Sequence, residues 1–113
     1  MKEKIEQFVE WVQNNKEYTS KNVSSSVGAY KVVMNITKPN GDTISVEQSD
    51  ICEGLYSYIL SINGEYTVGS VSDFQKYHRP LGDLFLTLRK AYKDIEREKY
   101  REDLLNTIME GLE

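Results

Sequence analysis

An α+β fold, a small antiparallel sheet with an N-terminal helix and C-terminal helices packed on one of its faces, is what this chain predicts, and three observations carry the prediction. Residues Tyr30 to Gln48 alternate apolar and polar side chains around one Pro-Asn-Gly turn. Residues 2 to 14 place apolar side chains at helical spacing, and residues 81 to 95 do the same over a longer run. At 113 residues the chain suits a single domain, 1–113, with residues 96–113 as a candidate projecting C-terminal helix.

Ile5, Phe8, Val9 and Val12 fall at i, i+3, i+4 and i+7, so Lys2 to about Asn14 reads as an amphipathic helix stopped at Asn14-Asn15. Trp11 sits at the edge of that stripe and reads as a core-rim residue ahead of a partner contact. Glu17 to Val23 is expected as a short strand, and Ser24 to Gly28 as the loop into the hairpin. That loop is no phosphate loop, because no lysine-serine pair follows its single glycine and a strand comes next.

The hairpin register can be deduced. A two-residue Asn40-Gly41 loop would set Ile36 opposite Ser45 and mix the faces of the sheet, since directly opposed residues share a face. A three-residue Pro39-Asn40-Gly41 loop sets Ile36 opposite Ile44 and Met34 opposite Val46, with Tyr30 and Val32 continuing the apolar face. Proline suits the first turn position, asparagine the next, and glycine the left-handed position that forms the bulge. The opposite face carries Lys31, Asn35, Thr37, Thr43 and Ser45, and is expected to be wet.

Residues 50–62 support two readings. As a helix, Asp50 caps, Glu53 completes a capping box, and Ile51, Leu55, Tyr58, Ile59 and Ile62 share a face. As strands, Tyr56 to Ile62 and Glu65 to Val71 form a second hairpin around Asn63-Gly64. The helix is the expectation carried forward. Ser72 or Asp73 then opens a segment in which Pro80 suits a first turn, followed by the apolar stripe Leu81, Leu84, Phe85, Leu88, Ala91, Tyr92 and Ile95. From Glu96 to Asp103 seven of eight residues are charged, and the later set Leu105, Ile108, Met109 and Leu112 is rotated away from the first stripe. Either the helix projects there, offering a homodimer or partner surface, or its last turn packs back on the core, which is the plainer expectation.

Composition narrows the function. The chain is 39% hydrophobic and 28% charged, no apolar run reaches the roughly 18 residues that span a bilayer, and no signal peptide is expected at the amino terminus. One cysteine, Cys52, excludes an internal disulfide and fits a reducing cytoplasm. With one histidine, His78, a metal site would need carboxylates almost alone, and no nucleophile stands in a signature context, so the expectation is a non-enzyme with no cofactor and no metal. Net charge −4 disfavours direct nucleic-acid binding and suits a basic protein partner. The late basic residues alternate with carboxylates and read as a solvated helix face. Eight tyrosines are many for this length, and two or three of them are assigned to a surface.

The order of elements is similar to that of the small anti-CRISPR proteins, phage inhibitors of type II-A RNA-guided nucleases. What carries the resemblance is the N-terminal helix, Asn15-Lys16-Glu17-Tyr18-Thr19, a serine-rich loop, an Asn-Gly hairpin and the strand Ile44-Ser45-Val46-Glu47, over the first two-thirds of the chain. The resemblance implies an αβββαα inhibitor that presents carboxylates to a basic groove of a nuclease loaded with guide RNA. On matching positions those carboxylates are Glu17, Asp42, Glu47 and Asp50. Where that family has an acidic run before its last helix, this chain has Tyr66 to Val71, flanked by Glu65 and Asp73. The expected function is therefore an inhibitor of a larger basic protein. A toxin-immunity protein, a nucleic-acid-binding module and a dimerising structural module through Leu105, Ile108, Met109 and Leu112 are its rivals.

Overall fold

The structure, a computed structural model, describes residues 2–52 and 55–112. Among them the elements run α1 (Lys2–Asn14), α2 (Lys16–Asn22), β1 (Val23–Val27), β2 (Lys31–Thr37), β3 (Thr43–Cys52), β4 (Leu55–Ile62), β5 (Glu65–Gly69) and α3 (Phe74–Met109). The strands form an antiparallel meander in sequence order. The expected α+β class holds, and within it the order of elements differs from αβββαα: two helices precede a wider sheet, and one long helix follows it.

The central hairpin has the deduced register, with Ile36 opposite Ile44 and Met34 opposite Val46. Gly41 has φ +93° and its N–H donates to the Lys38 carbonyl at 2.9 Å, which closes the turn. Met34, Ile36, Ile44 and Val46 are all buried. Tyr30 is not. It precedes the first paired residue of β2 and is 82% exposed, so the apolar face begins one alternation later than the sequence pattern indicates.

Where a helix is expected over 50–62, the described residues are strand instead, β3 running to Cys52 and β4 starting at Leu55. Tyr58, Leu60 and Val68 lie on the core face beside β3, and Leu60 pairs with Val68 across the turn at Asn63 (φ 52°) and Gly64 (φ 83°). Two adjacent residues with positive φ make the mirror-image turn that matches strand twist. Glu53, on which the capping box depends, lies outside the described residues. The short strand expected at Glu17 to Val23 is the helix α2, and the expected loop at Ser24 to Gly28 is largely β1, paired with β2 from Val23 opposite Ile36 to Val27 opposite Val32. A run of small residues can serve as an edge strand because its neighbour supplies the ladder bonds.

Both long helices cover one face of the sheet. Ile5 and Val12 of α1 and Leu81, Leu84, Phe85 and Leu88 of α3 meet the strand residues in one core. Trp11 is half-buried at its rim, stacked on Phe8 and edge-on to Tyr18, as a rim residue should be. Asp73 caps α3 by accepting from the Lys76 N–H at 3.1 Å, so the helix starts earlier than a first-turn proline requires and Pro80 lies inside it. Pro80 has no N–H for the carbonyl four residues back, and it is buried. Beyond Ile95 every described residue of α3 is exposed, so the late apolar set does not fold back on the core.

Candidate functional site

Two turns lie side by side at one rim of the sheet, and their side chains knit them together. The Asp42 carboxylate accepts from Asn63 Nδ2 at 3.0 Å on one oxygen and from Asn40 Nδ2 at 3.0 Å on the other. Asn63 Oδ1 accepts from the Thr43 N–H at 2.8 Å, and the Asn63 N–H donates to the Thr43 carbonyl at 2.8 Å. The β2–β3 and β4–β5 turns thus hold a single carboxylate in a fixed orientation. Hydrogen bonds from Asn63 and then Asn40, with a smaller contribution from the nearby Lys38 ammonium, hold the Asp42 carboxyl below the usual aspartate range. Glu65 opens β5 opposite Ile62, immediately beyond the same turn.

The other expected carboxylates are dispersed. Glu47 stands on the face away from the helices, 3.5 Å from Lys31 Nζ and bonded by Ser49 Oγ at 3.2 Å. Asp50 lies eight residues along β3 from Asp42, about 27 Å away at ~3.4 Å per residue, opposite Tyr56. Asp73 is occupied by the α3 cap, and Glu17 sits on α2 with Lys21 Nζ 3.3 Å away. Asp42 and Glu65 thus lie at the same end of the sheet, beside the two turns, while Glu17, Glu47, Asp50 and Asp73 lie elsewhere. Sequence reasoning missed Asn40 and Asn63 as the clamp. The available signal was the repeated Asn-Gly dipeptide at 40–41 and 63–64, which becomes a pair only when the second hairpin is recognised.

Two further surfaces stand out. A groove of about 700 Å³ runs between α1–α2 and α3, with Val12, Ala91 and Ile95 along it and Lys16, Glu17 and Glu98 at its margins. Past its end, Leu104, Leu105, Ile108, Met109 and Leu112 are 50–69% exposed. Tyrosines exceed the surface share expected of them: Tyr30, Tyr56, Tyr66 and Tyr100 are exposed, while Tyr58 is buried with its hydroxyl accepting from Gln48 Nε2 at 3.0 Å.

His78 stacks on Phe74 at 4.1 Å between ring centroids and tilts against Tyr58 at 5.3 Å. Its Nδ1 is buried without a hydrogen-bond partner, so its surroundings are aromatic rather than those of a base aimed at a nucleophile. Among the described residues no three of His, Cys, Asp and Glu converge to hold a metal ion, and no helix is long and apolar enough to cross a membrane. Comparison of the chain with protein-family models, with curated proteins and with solved structures finds no match.

Proposed function

We propose that this protein is a non-enzymatic binding protein of the cytoplasm that inhibits a larger basic protein, docking through the acidic rim made by its two turns. The observation that carries the reading is the clamped Asp42 carboxylate, fixed by Asn40 and Asn63 and kept ionised by them. An oriented charge loses little entropy on pairing with an arginine or lysine, which is what an inhibitor needs from a small surface. Glu65 extends the rim at the start of β5, opposite Ile62. In its narrowest form the reading makes the partner a type II-A RNA-guided nuclease loaded with guide RNA, whose basic groove takes the rim.

Calorimetry against that loaded nuclease tests it. Asp42→Lys with Glu65→Lys is expected to weaken binding by roughly tenfold or more, because each change removes a contact and adds a repulsion. The control reverses Glu6 and Glu10 on the exposed side of α1, altering net charge equally. Equal losses from both pairs would remove the rim mechanism, and no binding by the unaltered protein would remove the nuclease as target.

A further inference from the structure

The groove and the exposed stripe belong to one face of α3. Thr87, Ala91, Asp94, Glu98, Arg101, Leu105 and Ile108 follow one another at alternating steps of four and three residues, with Leu112 four further on, which is the seam of a heptad pattern. The early part of this line, through Glu98, lines the groove beside α1 and α2; the late part is the apolar stripe. A concave half and a convex half thus lie on the same side of one helix, about 21 Å apart at ~1.5 Å per residue.

From this we propose that α3 pairs with α3 of a second copy of this chain, antiparallel about a two-fold axis near residues 99–100, each stripe seated in the other's groove. Only an antiparallel arrangement fills both grooves with both stripes at once, because the two halves are displaced along the helix in opposite senses from that axis. The register follows from the seam. Ile108 meets Ala91 of the second copy, Leu112 meets Thr87, and Leu105 lies over the stem of Asp94. At the axis, Glu98 of each copy faces Arg101 of the other, twice by symmetry.

The charges agree with that occupant. Glu98 and Arg101 are exposed and neither forms an ion pair within its own chain among the described residues. Placed in a seam, such residues select register and orientation at a cost in affinity, since a shifted or parallel pairing would bury them unmatched. A foreign amphipathic helix could fill the groove, but it would leave this chain's own stripe uncovered; a second copy covers both. The dimer forms through a surface separate from the acidic rim, so it goes beyond the inhibitory reading and survives that reading's failure.

The test is sedimentation of the full-length protein across a concentration series, with circular dichroism confirming that each variant is folded. The unaltered chain is expected to pass from monomer to dimer mass as concentration rises. Glu98→Arg and Arg101→Glu, each alone, should weaken self-association by roughly tenfold or more through like-charge contact at the axis. Mixing these two variants should restore a dimer, because the pairs in the mixed species are again Arg with Glu. Ile108→Asp should abolish association. A monomer at every concentration overturns the proposal, and so does a dimer that is indifferent to the charge reversals or fails to re-form in the mixture.

Discussion

At the scale of single residues, backbone conformation gives the sharpest expectation. Gly41 has φ +93° with open space around it, so a side chain there meets strain from the backbone rather than from neighbours. Gly41→Val should cost about 1–3 kcal/mol, and Gly41→Asn much less, because asparagine tolerates the left-handed region; urea unfolding of the two variants checks this, and equal stability would exclude the bulged turn. Beside it, Asp42 has a folded-state pKa below its unfolded value. Its contribution to stability is therefore present above the unfolded pKa and is lost as pH falls through the folded one. Asn63→Ala removes the largest cause of the shift, so NMR titration should show the Asp42 pKa moving up toward the ordinary aspartate value. His78 makes the opposite case: its Nδ1 is buried without a partner between aromatic rings, a cost of about 1–3 kcal/mol. His78→Phe should therefore raise the urea midpoint. Gly41 was legible in the sequence because its turn is local, whereas the Asp42–Asn63 bond spans 21 residues and required the second hairpin first.

At the scale of elements, what was legible is what repeats with a strong period and what was not is what depends on a partner. The α3 stripe placed Leu81, Leu84, Phe85 and Leu88 in the core, and all four are buried. Adjacent positions on that helix give a controlled comparison. Phe85→Ala should cost about 3–5 kcal/mol by opening a cavity under the sheet, while Leu86→Ala, at a position 54% exposed, should cost under about 0.5 kcal/mol; paired denaturation curves read the difference. Residues 50–62 satisfied both a capping box and a tyrosine- and isoleucine-rich strand pattern, so local rules balanced. Pairing along β3 on one side and β5 on the other decided between them, and neither pairing is visible in a local window. The same holds for β1, whose serines have little strand preference of their own and are ordered by the β2 ladder, and for α2, where the buried Thr19 hydroxyl donates to the Val12 carbonyl at 3.2 Å and ties the short helix to α1. Gly82 was an unused signal: a Cβ there would stand 3.3 Å from the Tyr58 ring, so a glycine inside the strongest helical pattern marked a close approach of the helix to a side chain of the sheet.

At the scale of the whole molecule, the 62 Å long axis against 35 and 21 Å for the others reflects a 36-residue helix that outruns the body it covers. Through Ile95 the helix packs on the body and beyond Ile95 it buries nothing among the described residues, so the two parts should separate energetically. A chain ending at Glu98 keeps every core residue, and its midpoint of thermal unfolding at low concentration should stay close to that of the full chain. An isolated helical segment of about 15 residues is marginal in water. Residues 99–112 should accordingly show fast amide exchange in the monomer and slow exchange once a partner covers the stripe. Hydrogen exchange at low and high protein concentration measures this directly: protection that rises with concentration in 99–112 and in the groove residues Ala91 and Ile95 together is expected, because the two halves of the seam are covered in the same event. Protection of the stripe without the groove would mean that the terminal segments associate by themselves, and the antiparallel pairing would be wrong.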